Sequence, residues 1–120
     1  MPAKSLNKTA ILLTLAMASC ESGPRPIAEL SRAHTLVEQA EQAGAQQFAG
    51  ADLDAARTKL QRAEQKDTRP EVALRLAEEA ALDAQVAVAR ARVGKADQAV
   101  MEVNASTESL RKETSRPEKP

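Results

Sequence analysis

From Ile27 onward, apolar residues recur at spacings of three and four, the period of a helix with one buried face. Ile27, Leu30, Ala33, Val37, Ala40 and Gly44 share such a face and predict a first helix over 27–44, with Gly44 as its stop. The stretch 45–50, Ala-Gln-Gln-Phe-Ala-Gly, is too short for another element and reads as a turn whose Phe48 plugs the end of a bundle. A second helix over 52–66 turns Leu53, Ala56, Leu60 and Ala63 inward and ends in the polar run Lys66-Asp67-Thr68-Arg69. Pro70 suits the first position of a third helix, where its missing N–H costs nothing, and Glu71 lies near the positive end of the helix dipole. No further proline occurs until Pro117, so this helix is expected over 70–113. At about 1.5 Å per residue, the run from Glu71 to about Lys112 alone would be roughly 63 Å long, beyond what ordinary globular packing uses.

The long helix changes character along its length. In its first part Val72, Leu76 and Ala80 mark one side and Leu74, Ala77, Ala81 and Val88 another, as in a helix held between two partners. Further on, Val86, Ala89, Val93, Ala96, Val100, Val103, Thr107 and Leu110 alternate spacings of three and four, the seam of a coiled coil. Leu82 extends it backwards, and Glu79 and Arg75 end it. Val86, Val93, Val100, Val103 and Leu110 are therefore the candidate interaction residues. Packing back on the first two helices and pairing with another chain both remain open for them. Glu71–Arg75, Arg75–Glu79 and Glu108–Lys112 have the i,i+4 spacing of supporting ion pairs. Residues 114–120 read as a disordered tail.

The N-terminus follows a different logic. Lys4 and Lys8 precede the apolar stretch 9–18, which has the length of a signal-peptide core and falls well short of the roughly 20 residues that span a bilayer. The stretch ends in Met17-Ala18-Ser19-Cys20, which resembles the lipobox of bacterial lipoproteins, with Met17 where that pattern usually has Leu. The resemblance implies removal of residues 1–19 and diacylation of Cys20, giving a membrane anchor. Cys20 is the only cysteine, and an unpaired thiol in an oxidising compartment would be a liability, whereas two or three acyl chains anchor stably. Glu21 stands where an Asp would resemble an inner-membrane retention signal, so the expected location is the outer membrane, facing the periplasm. Residues 20–26 then form a lipidated tether stiffened by Pro24 and Pro26.

Composition sharpens this picture by exclusion. The chain has 25 Ala among 120 residues but a single Phe and no Tyr or Trp, which argues against a β-sandwich, an aromatic-lined pocket or a base-stacking surface. Its formal net charge is zero, but loss of 1–19 leaves 15 basic and 17 acidic residues, without the basic face that nucleic-acid binding needs. The expected fold is all-α: an elongated three-helix hairpin or bundle with a long Ala-rich third helix. Narrow Ala seams bury little area, so stability should be modest and helix formation firmer than tertiary packing.

The residues Gly44-Ala45-Gln-Gln-Phe48-Ala49-Gly50-Ala-Asp52-Leu53, then Ala56, Leu60 and Ala63, and later Leu76-Ala77-Glu-Glu-Ala80 and Asp83-Ala84, resemble a family of small bacterial envelope lipoproteins that carry the domain of unknown function numbered 4398. The resemblance covers about residues 27–93. Gly50-Ala51-Asp52 replaces the Pro and Glu of the family pattern. It implies a helical periplasmic domain without catalytic residues to carry over.

Candidate chemistry is sparse. His34 is the only histidine and reads as a structural or surface residue. Glu78-Glu79 and Asp52/Asp54 are paired acids with nothing apolar or aromatic to enclose them. Asn104-Ala-Ser106 matches a glycosylation sequon by chance, and Lys119, a terminal lysine of the kind linked to peptidoglycan, is followed by Pro120. The sequence thus predicts a non-enzymatic lipoprotein with no cofactor or metal, held to the membrane through Cys20 and contacting another envelope protein. A self-associating coiled-coil spacer and a periplasmic binding or chaperone-like module are the alternatives.

Overall fold

A computed structural model describes residues 23–117, and they contain helices and no strand. The helices are α1 (Ile27–Gln42), α2 (Ala45–Phe48), α3 (Gly50–Glu64) and α4 (Pro70–Thr114). The all-α expectation and the long last helix hold. Four boundaries differ from the expected ones: α1 stops two residues short of Gly44, α3 starts at Gly50 rather than near Asp52 and ends at Glu64 rather than 66, and α4 takes in Thr114, expected to begin the disordered tail. The segment expected to be only a turn also contains one helical turn, α2. Gly44 explains it. Its φ of 85° ends α1 in the left-handed conformation, and its carbonyl accepts the N–H of Gln47 at 3.1 Å, which starts the next turn at once.

α1 and α3 form an antiparallel pair, and both pack on α4, which runs back alongside α3. The entry to α4 follows local rules. Arg69 adopts the extended geometry of a residue before proline, Pro70 occupies the first helical position, and the Thr68 hydroxyl donates to the carbonyl of Arg62 at 2.7 Å. At the same end, the Arg25 guanidinium donates to the carbonyls of Glu64 and Gln65 at 3.2 and 2.9 Å, capping the negative end of α3. The Pro-flanked segment before α1 is thereby fastened to the bundle at Arg25.

The shared core consists of Ala33, Val37 and Ala40 from α1, Ala45 and Ala49 around α2, Leu53, Ala56, Leu60 and Ala63 from α3, and Leu76, Ala77, Ala80, Ala81, Ala84, Ala87 and Ala91 from α4. Leu53 is its only large side chain that is fully buried. Val72 and Val88 pack against its margin. α4 therefore lies between two partners, as its two-sided apolar pattern predicts. Ile27, expected on the inner face of α1, is instead 75% exposed.

Phe48 closes the far end of the bundle by resting on Gly94 of α4. A Cβ built on Gly94 would lie 2.5 Å from Cδ1, 2.8 Å from Cγ and 2.9 Å from Cβ of Phe48. The ring root as well as its edge would have to move, so the glycine is a seat for the only aromatic side chain. Gly94→Ala improves helix propensity by about 1 kcal/mol but overpacks this contact at a typical cost of about 1–3 kcal/mol. The expected net result is a loss of about 1 kcal/mol in urea unfolding, reversed in sign when Phe48→Ala is introduced alongside it.

Candidate functional site

Three sides of α4 are accounted for differently. Ala73, Ala77, Ala80, Ala84, Ala87 and Ala91 are spaced by four and three and are fully buried. At about 100° per residue they form a stripe toward α1 and α3. On the α3 side, Lys59 lies 2.7 Å from Asp83 and 3.4 Å from Glu79, and Arg90 lies 2.5 Å from Asp52. The hydrogen bond that Lys59 donates to Asp83, together with the charge of that carboxylate, raises the Lys59 pKa, outweighing the partial burial that lowers it. On the α1 side an open groove is lined by Glu29, Arg32, Ala77, Glu78, Ala81, Leu82 and Gln85.

The remaining side faces outward and carries the candidate seam. Val86 is 42% exposed, Val93 60%, Val100 59%, Val103 64% and Leu110 63%, with Leu82 at 62% in line with them. This resolves one alternative of the sequence reading, since the seam does not pack back on the first two helices. Its helical positions are about 180° from the alanine stripe. The large apolar side chains of the seam thus point to solvent while, apart from Leu76, the part of the core that α4 contributes is alanine, the reverse of ordinary burial preference. Beyond Gly94 every described residue of α4 is exposed, so about twenty residues, roughly 30 Å of helix, project from the bundle. Met101 is 71% exposed next to the seam and has no sequence signal that would have singled it out.

The alanine stripe is the feature the sequence reading missed. Its four-three spacing from Ala73 to Ala91 is as regular as that of the valine seam, but small residues carry little weight when apolar positions are ranked by size.

The other candidate residues enter structural pairs. His34 is exposed and contacts Glu64 across α1 and α3. Asp54 and Glu41 both face Arg57, at 3.3 and 2.6 Å, and these contacts raise the Arg57 pKa, the Glu41 hydrogen bond most. Arg75 turns to Glu79 at 3.8 Å rather than to Glu71, and Glu108 meets Lys112 at 3.7 Å. The Glu71–Arg75 pair expected from spacing is therefore not made. Asn104 and Ser106 lie on the exposed projection of α4. Among the described residues no group of acids, histidines or cysteines is arranged to hold a metal ion, and no helix is long and apolar enough to cross a membrane. The lipobox Met17, Ala18, Ser19 and Cys20, as well as Lys119 and Pro120, lies outside the described residues.

The family model for a domain of unknown function, DUF4398, matches residues 28–103. The chain belongs to this family. The match spans the whole bundle and the first part of the projecting α4, so the two stripes of that helix fall largely within the family domain. Neither the curated proteins nor the solved structures contain a match to the chain.

Proposed function

We propose that this member of the family is a bacterial envelope lipoprotein, anchored through lipid on Cys20 in the outer membrane and facing the periplasm, whose bundle serves without catalysis as an interaction module. The outward Leu/Val seam of α4 carries the interaction reading. Seven large apolar side chains, from Leu82 to Leu110, are exposed along this helix. Isolated exposed apolar residues are ordinary, but a continuous stripe of them is the mark of a contact surface. The bundle holds the root of the seam rigid and lets its outer half project, which suits a spacer that reaches away from its anchor.

The anchor is supported by Lys4 and Lys8, the short apolar run after them and the Ala18-Ser19-Cys20 site. Two or three acyl chains on one residue give stable membrane attachment, whereas one chain does not. Arg25, five residues beyond Cys20, fixes the end of the tether to the base of the bundle, so the anchor would enter at the end opposite to Phe48. Cells expressing the full chain and supplied with labelled palmitate are expected to label the wild type and not Cys20→Ala. An unlabelled wild type, or equal label on the variant, overturns the anchor.

A further inference from the structure

We infer that the seam of α4 pairs with the same seam of a second copy as a parallel, in-register, two-stranded coiled coil. This rests on reading the seam as the interaction surface and adds the identity and orientation of the partner.

The spacing fixes the heptad. Val86, Val93, Val100 and Thr107 take the a positions, and Leu82, Ala89, Ala96, Val103 and Leu110 the d positions. Every a residue from 86 to 107 is β-branched, the choice that favours two parallel strands, and both ends of the seam have Leu at d. Thr107 fits the series because its hydroxyl donates to the carbonyl of Val103 at 2.8 Å, leaving the methyl group for the seam. α1 and α3 pack on the alanine side of α4; Leu82 at the root of the seam also borders the groove beside α1, and from Val93 to Leu110 the seam is open to another helix.

Charge selects the orientation. In a parallel pair, a g residue faces the e residue five positions on in the other helix. Arg92 is at g and Asp97 at e, so the two-fold symmetry sets Arg92 of each copy against Asp97 of the other. Both side chains are exposed, and neither takes part in an ion pair among the described residues. The next facing pairs, Gln85 with Arg90, Ala99 with Asn104 and Ser106 with Arg111, bring no like charges together. Below the seam Glu78 would face Asp83, but Lys59 already neutralises Asp83 within its own bundle. The antiparallel arrangement that best matches a with d sets Val86 against Leu110 and Val93 against Val103. It centres near residue 98 and confronts Asp97 with its own copy, a repulsive contact. Anchoring of both chains in one leaflet through Cys20 would favour the parallel arrangement as well.

Full-length Val100→Cys, in membranes treated with a mild oxidant, tests the inference, because parallel a positions meet their own copies. The expected product is a disulfide-linked dimer of the chain, absent for the wild type and for Gln98→Cys, whose position lies on the opposite side of α4. Adding Arg92→Glu should reduce the Val100→Cys dimer several-fold, and adding Asp97→Arg to that variant should restore it, an outcome that general destabilisation would not produce. No dimer, or an equal dimer from Gln98→Cys, overturns the inference. A disulfide to a protein of different mass also overturns self-pairing but leaves the seam as the interaction surface. A wild-type dimer through Cys20 would instead count against the lipid anchor.

Discussion

Ala84→Leu is expected to destabilise the bundle by on the order of 3 kcal/mol, read as a lower urea midpoint for loss of helical circular dichroism. Ala84 is fully buried within the cluster shared by α1, α3 and α4. Its methyl group lies in the core cluster that also contains Val37 of α1 and Leu53 and Leu60 of α3, where small residues on α4 permit close helix approach. A leucine there adds three carbons to a site without room, so either the rotamer strains or the helices separate. The same change at Ala105, exposed on the projecting part of α4 and off the seam, should leave the urea midpoint almost unchanged. The contrast matters more than either value, because it distinguishes an alanine needed for approach from one present for helix propensity.

Leu53→Ala should have the second large effect, a loss of about 2–5 kcal/mol in the same measurement. In a core made mostly of alanine, Leu53 is the one large side chain with no exposure at all. Its truncation removes apolar contact and leaves a cavity that the short neighbouring side chains cannot fill. The total stability of a small domain is only about 5–15 kcal/mol, so this variant should be partly unfolded at modest temperature. Leu53→Met, which nearly conserves volume, should cost less than about 1.5 kcal/mol. A small loss for Leu53→Ala would mean that the helices collapse onto the gap, and that the bundle is looser than its buried alanines imply.

Much of this architecture could be read from residues one at a time. Gly44 announced the end of α1, and the polar run before Pro70 announced the break between α3 and α4, because chain reversal and helix initiation depend on local backbone geometry. Leu53, Ala56, Leu60 and Ala63 were legible as an inner face because α3 has only one apolar side. α2 was not legible. It exists because the left-handed Gly44 carbonyl is presented to Gln47, a consequence of the turn rather than of any helical period. The seating of Phe48 on Gly94 was equally hidden, since it joins residues 46 positions apart in a contact defined by a missing side chain.

The candidate interaction residues show the same division. Sequence periodicity identified the Val86–Leu110 seam and its coiled-coil character but left its partner open. Helicity, the breaks near Gly44 and Pro70, and the presence of apolar stripes on α4 follow from local propensity, proline and glycine alone, with the helix ends shifted by one or two residues. Only the tertiary structure decided which stripe turns inward. α1 and α3 offer the larger side chains Val37, Leu53 and Leu60, and the alanine face of α4 lets the three helices close around them, so the Leu and Val side chains of the seam are left outside while Leu76 joins the core.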